Sequence, residues 1–192
     1  GKRTGVFLTN FNSGKVQSHV RYRGLTDVSD AVFYFENGKI KGSGKYIGQA
    51  KDSVWNYYNE EGKMVSTENY VKGKKEGVWK IYFANGKTSE ETTYKSDKKN
   101  GPYRRYYDDG KKKVEATNKN DEYEGLVTAY YPDGKIQMQG MCRNGLKEGT
   151  WKINKEDGKL EREDKYRDGK LLNPVIEKEE RIDEKVALPD GE

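Results

Sequence analysis

Residues Gly77–Asn100, GVWKIYFANGKTSEETTYKSDKKN, read as strand, tight turn, strand and loop, and Gly101 starts the pattern again. Written in rows of 24 from Gly5, the chain fills seven rows, which begin at Gly5, Ser29, Ser53, Gly77, Gly101, Gly125 and Gly149. One column holds a Gly-Lys pair in every row, its glycines being Gly14, Gly38, Gly62, Gly86, Gly110, Gly134 and Gly158. Self-similarity at a fixed period of roughly 20–50 residues marks a repeat array rather than a compact domain. The expected fold is all-β: tandem 24-residue β-hairpin repeats forming an elongated, twisted antiparallel sheet, solenoid-like in its stacking. The repeats span 5–172, with an N-terminal remnant at 1–4 and a charged C-terminal segment at 173–192.

Asn or Asp precedes the repeated glycine in five rows (Asn37, Asn85, Asp109, Asp133 and Asp157), a strong hairpin signal between strand-like runs. In Tyr131-Pro132-Asp133-Gly134 the proline suits the first central position of a type I turn. A type I turn with Gly134 left-handed in a bulge is therefore expected, and the same geometry in sister rows.

Before each turn, side chains alternate with period 2. Trp79, Ile81 and Phe83 share one face, and the opposite face carries a tyrosine column, Tyr34, Tyr58, Tyr82, Tyr106 and Tyr130. After the turn, Tyr22, Tyr46, Tyr70, Tyr94 and Tyr166 form a second column, broken by Asn118 and Cys142. A lone hairpin is marginal in water, so the rows must pair edge to edge. Seven rows predict 14 strands, which at ~4.8 Å each make a ribbon of roughly 65 Å.

Composition agrees with a thin sheet. Hydrophobic residues are 32% and charged residues 36%, yet net charge is only +5, and 15 tyrosines and three tryptophans supply apolar area. No run approaches the ~18 apolar residues of a membrane-spanning helix. Cys142 is the only cysteine, which excludes an intrachain disulfide and leaves the redox compartment open. The start at Gly1 rather than methionine suggests that something upstream has been removed. After Leu172 the period fails, and NPVIEKEERIDEKVAL reads either as a short helix capped by Asn173-Pro174 or as a charged tail.

With Tyr70, Gly73-Lys74, Gly77, Trp79, Tyr82 and Asn85-Gly86-Lys87 in their columns, the pattern resembles the MORN-repeat variant found in tandem in many bacterial proteins. The resemblance covers residues 5–172, although Asn154 replaces the tyrosine in row seven and the loops of rows one and two depart from the pattern. It implies consecutive hairpins and a non-catalytic scaffold or interaction role. It also implies kinship with antitoxin-type repeats and with exported proteins of the bacterial periplasm, outer membrane or cell exterior. A cytoplasmic location stays open.

Catalytic constellations are absent from the sequence. His19 is the sole histidine and falls in a polar column, where an exposed strand residue is expected. Cys142 occupies a tyrosine column and reads as a packing residue rather than a nucleophile. One histidine and one cysteine do not make a zinc site, and Gly42-Ser43-Gly44-Lys45 lacks the first glycine and the helix of a phosphate loop. Asn118, Asn120, Asp121, Glu122 and Glu124 crowd one loop without the ligand order of a calcium loop. No enzyme activity, cofactor or metal is expected.

Binding is the remaining class. The Tyr34–Tyr130 column is the candidate contact stripe for a protein partner, set against a purely structural role in which its rings pack on one another across repeats. Lysines such as Lys72, Lys74, Lys75, Lys98 and Lys99 raise the alternative of anionic lipid, and the aromatic rows that of a cell-surface glycan. Interspersed Glu60, Glu61, Glu76, Asp108 and Asp109 dilute the positive charge, and nucleic acid is disfavoured.

Overall fold

The computed structural model describes residues 4–172. The alternative of helix or tail for 173–192 lies outside the described residues. Among the described residues all regular structure is β, in one open sheet. The first strands are β1 (Gly5–Asn10), β2 (Val16–Tyr22), β3 (Val28–Tyr34), β4 (Ile40–Ile47), β5 (Ala50–Tyr58) and β6 (Met64–Val71). There follow β7 (Lys74–Lys75), β8 (Gly77–Tyr82), β9 (Thr88–Lys95), β10 (Lys98–Tyr106) and β11 (Lys112–Lys119). The chain continues through β12 (Glu122–Tyr123), β13 (Gly125–Tyr130), β14 (Ile136–Arg143), β15 (Leu146–Asn154), β16 (Leu160–Arg167) and β17 (Lys170–Leu171).

Neighbours in sequence pair antiparallel, so the chain is a meander from β1 to β17. The structure has 17 strands rather than 14, because three two-residue stubs, β7, β12 and β17, pair with the strand before them. The chain then steps sideways at Glu76 and Glu124 before β8 and β13 resume pairing with β6 and β11. In β5, β10 and β15 the same segment stays within one nine-residue strand, and the sidestep is taken up as a register shift against the strand before it.

The expected turn is present. Gly134 has φ 92°, its amide donates to the Tyr131 carbonyl at 2.9 Å, and the register slips by one between Ala129 and Tyr130. Asn and Asp recur before the glycine because their Oδ1 accepts from the lysine amide two residues on. The distance is 2.9 Å at Asn37, Asn85 and Asp109 and 3.0 Å at Asp133.

From Lys72-Gly73 onward the opposite ends close with two-residue turns in which both residues are left-handed, as at Asn120 (φ 52°) and Asp121 (φ 76°), whereas at Gly48-Gln49 only the glycine is. Each is fastened to the repeat before it. The Asp121 amide donates to the Lys99 carbonyl at 2.9 Å, and Glu76, Glu124 and Glu148 each accept from the next loop's backbone amide at 2.9 Å. The acidic residues that dilute the lysines in sequence are thus partly spent on backbone amides.

One face of the sheet holds the core. Trp55 and Trp151 are 1% and 3% exposed, with Tyr103, Ala116, Val127 and Cys142 also buried. Ring contacts join adjacent strands: Tyr46–Trp55 at 4.8 Å, Tyr70–Trp79 at 5.2 Å and Trp79–Tyr94 at 5.0 Å between centroids. Each indole donates back into the preceding strand, Trp55 Nε1 to the Lys45 carbonyl at 3.0 Å and Trp151 Nε1 to that of Met141 at 3.0 Å. Lysines close the layer from above, with Lys75 Nζ 4.4 Å from the Trp79 ring and Lys147 Nζ 4.5 Å from the Trp151 ring.

Candidate functional site

The tyrosine column lies on the opposite face, as the alternation requires, and every member is half-buried. Its rings do not pack on one another: among the described residues no ring contact joins Tyr34, Tyr58, Tyr82, Tyr106 and Tyr130. Equivalent residues sit two strands apart, about 9.6 Å, which is beyond stacking range. The cross-repeat packing of rings expected for this column occurs instead on the tryptophan face.

The tyrosine hydroxyls reach the preceding repeat. Tyr106 donates to Glu91 Oε2 at 3.0 Å and Tyr130 to Glu115 Oε2 at 3.4 Å, while the Tyr82 hydroxyl is 3.3 Å from that of Thr67. Beside them runs a ladder of alternating charge. Lys80 pairs with Glu91 at 2.9 Å, Glu91 with Arg104 at 3.7 Å, Arg104 with Glu115 at 3.2 Å and Lys112 with Glu115 at 3.0 Å. Burial pushes the Glu91 carboxyl up, but hydrogen bonds from Lys80 and Tyr106 outweigh it and hold the group below its ordinary value. The Lys112 hydrogen bond, with that of Arg104, likewise lowers Glu115. Tyr82, Tyr106 and Tyr130 are therefore braces between repeats as well as surface.

Tyr34 differs. It borders an open depression of about 510 Å³ with Leu8, Val16 and His19. His19 is half-buried rather than exposed, since its cross-strand neighbours are Leu8 and Val32. Its Nε2 is sealed from solvent without a hydrogen-bond partner.

The lysine rim is partly withdrawn into the fold. Lys75 and Lys99 turn over Trp79 and Tyr103, and Lys15, Lys87, Lys111 and Lys135 donate to carbonyls of the next turn. The tryptophan rings beneath the lysines offer little area to a sugar. In the crowded acidic loop, Asp121 accepts from the Lys99 amide at 2.8 Å and Glu124 from that of Asn144 at 2.9 Å. Among the described residues no group of His, Cys, Asp or Glu is placed to hold a metal. Cys142 is buried in the core, and burial pushes its thiol up.

Two columns of this face were missed in the sequence. Cross-strand partners Val54–Asn69, Val78–Thr93, Pro102–Thr117 and Leu126–Met141 form a stripe with no charged member, bounded by Lys45 at one end and at the other by Glu148, which stands opposite Met141 and accepts from the Asp168 amide. Val78, Leu126 and Met141 are 41%, 52% and 49% exposed. Pro102, Thr117 and Leu126 share a depression of about 340 Å³ with Arg104, Glu115 and Tyr130. Two residues further along the strands, Lys95, Lys119, Arg143 and Arg167 form an exposed basic column, and among the described residues none of the four has an ion-pair partner. Reading every column of the 24-residue rows, not the aromatic ones alone, would have found both.

The chain matches the MORN repeat variant over residues 30–47, 75–96, 99–120, 123–141 and 147–168, more than half of its length. It belongs to the MORN-repeat variant family. Repeats of this kind are commonly protein- or membrane-binding modules, and the family is non-enzymatic. No curated protein matches the chain. Although residues 53–74 lie between matches, β5 and β6 repeat the MORN geometry, with Trp55 in the tryptophan column and Gly62 left-handed at φ 85°.

Proposed function

We propose that this MORN-repeat chain is a non-catalytic scaffold whose tyrosine-bearing face takes up a protein partner. The carrying observation is the uncharged, half-exposed stripe from Val54 to Met141, on a chain in which 36% of residues are charged. Exposed apolar side chains gathered in an uncharged strip with a charged rim mark an interaction site. The central tyrosines border the charged ladder that adjoins it, and offer large, rigid contact area.

A photo-crosslinking residue at Val78 or Leu126 tests this, with Ile81, 48% exposed on the other face, as the control. Partner adducts at Val78 and Leu126 but not at Ile81 support the reading; adducts only at Ile81 overturn it. Replacing Tyr58, Tyr82 and Tyr106 by phenylalanine and by serine separates contact from brace. Partner capture lost in a serine variant that stays folded supports contact, and unfolding of that variant makes the column structural. The bacterial envelope location is proposed on the resemblance alone, and fractionation of cells expressing the full-length protein tests it.

A further inference from the structure

We infer that the uncharged stripe and the basic column beside it form one docking track for an acidic, amphipathic α-helix of a partner protein, laid across the strands. This rests on the preceding reading and names the partner's chemistry. The track runs over β8–β16, where Val78, Leu126 and Met141 supply apolar surface and Lys119, Arg143 and Arg167 supply unpaired positive charge on the same side. Glu122, the cross-strand partner of Lys119, is the one carboxylate among the loop-side partners of that column.

The spacing selects the helix. The stripe offers one uncharged side chain per strand, every ~4.8 Å, and the column one cation per repeat, every ~9.6 Å. A heptad helix presents apolar residues about every 5.3 Å and a given flanking position every ~10.5 Å, so both patterns stay in step over three repeats with a drift of about half a strand. An extended strand covers one repeat in about three residues, an odd number that turns every second contact to the wrong side. A polyproline helix matches the ~9.6 Å step but places a residue on that side only once per turn, leaving alternate strands uncovered. Carboxylates flanking the apolar seam would meet Lys119 and Arg143, which have no ion-pair partner among the described residues to give up.

The test uses the full chain and a fluorescent synthetic peptide of three heptads, leucine at its seam positions and glutamate along one flank. Saturable binding is expected, falling at about 1 M salt, where the Debye length is ~3 Å. It should weaken at least about tenfold in Leu126→Glu/Met141→Glu and in Lys119→Glu/Arg143→Glu, a loss of about 1.4 kcal/mol or more. Both pairs are exposed, so circular dichroism should stay unchanged, and Ile81→Glu on the other face should bind as the parent does. Equal binding of a peptide with lysine for glutamate, or equal loss in Ile81→Glu, would overturn the inference. So would sedimentation with vesicles of phosphatidylserine in the absence of peptide binding, which assigns the track to lipid. Crosslinks at Leu126 with no peptide binding would sink the helix and leave the protein-partner reading standing.

Discussion

The indole of Trp55 lies flat over Gly44 of the preceding strand, so close that a Cβ on Gly44 would stand 2.2 Å from Trp55 Cδ2. Trp151 and Gly140 repeat the relationship at 2.3 Å. At these two seams the glycine is a seat for the next repeat's tryptophan. Gly44→Ala must displace the ring and is expected to lower stability by about 1–3 kcal/mol. The denaturation midpoint measures it, with a red shift in tryptophan emission as the ring leaves its seat. An alanine variant of full stability would show that the seam tolerates a gap.

At the loop ends, Lys72 holds a left-handed φ of 49° ahead of Gly73. Lys72→Asn creates the favoured pair for such a turn and should stabilise by about 0.5–1 kcal/mol. Gly134→Ala, at φ 92°, should destabilise by about 1 kcal/mol or more. Thermal melts of the two variants are expected to move in opposite directions.

Glu91 and Glu115 are held below the ordinary carboxylate value of 4.5, by hydrogen bonds from Lys80 and Tyr106 and from Lys112 and Arg104 respectively. A carboxylate with a lowered folded-state value binds fewer protons when folded than when unfolded. Its contribution is therefore complete above 4.5 and is lost as pH falls through the folded-state values. Stability of the parent should fall more steeply below that pH than stability of Glu91→Gln/Glu115→Gln, and chemical denaturation at several acidic pH values reads the difference.

Cys142 is 6% exposed in the core cluster with Val127 and Trp151, and burial pushes its thiol up. It should react slowly with iodoacetamide at mildly alkaline pH in the native protein, and at the rate of an ordinary thiol once the chain is unfolded. Fast native labelling would mean that this region of the sheet opens readily.

The 24-residue period, the hairpin turn with left-handed Gly134 and the segregation of tryptophans from the Tyr34–Tyr130 column were legible in the sequence, because each depends on local backbone geometry or strict alternation. The stubs β7, β12 and β17 were not, since the same sidestep breaks the strand after β7 and is absorbed as a register shift within β5, with similar composition in both. Nor was the fate of the charges. Sequence places Lys75 and Glu76 in one loop and Asp97 in the next, but Glu76 accepts from the Ser96 amide and Asp97 from the Lys75 amide, each about one repeat away, while Lys75 folds over the Trp79 ring.

Taken alone, then, the amino-acid order determined that this chain is an array of hairpins and which residues share a face, since period and alternation are properties of one strand and its turn. Only the pairing of repeats decided that Tyr106 braces Glu91 while Lys119 and Arg143 stay unpaired beside a bare stripe. Those outcomes depend on which side chains arrive opposite one another across two strands, a distance that no local pattern encodes.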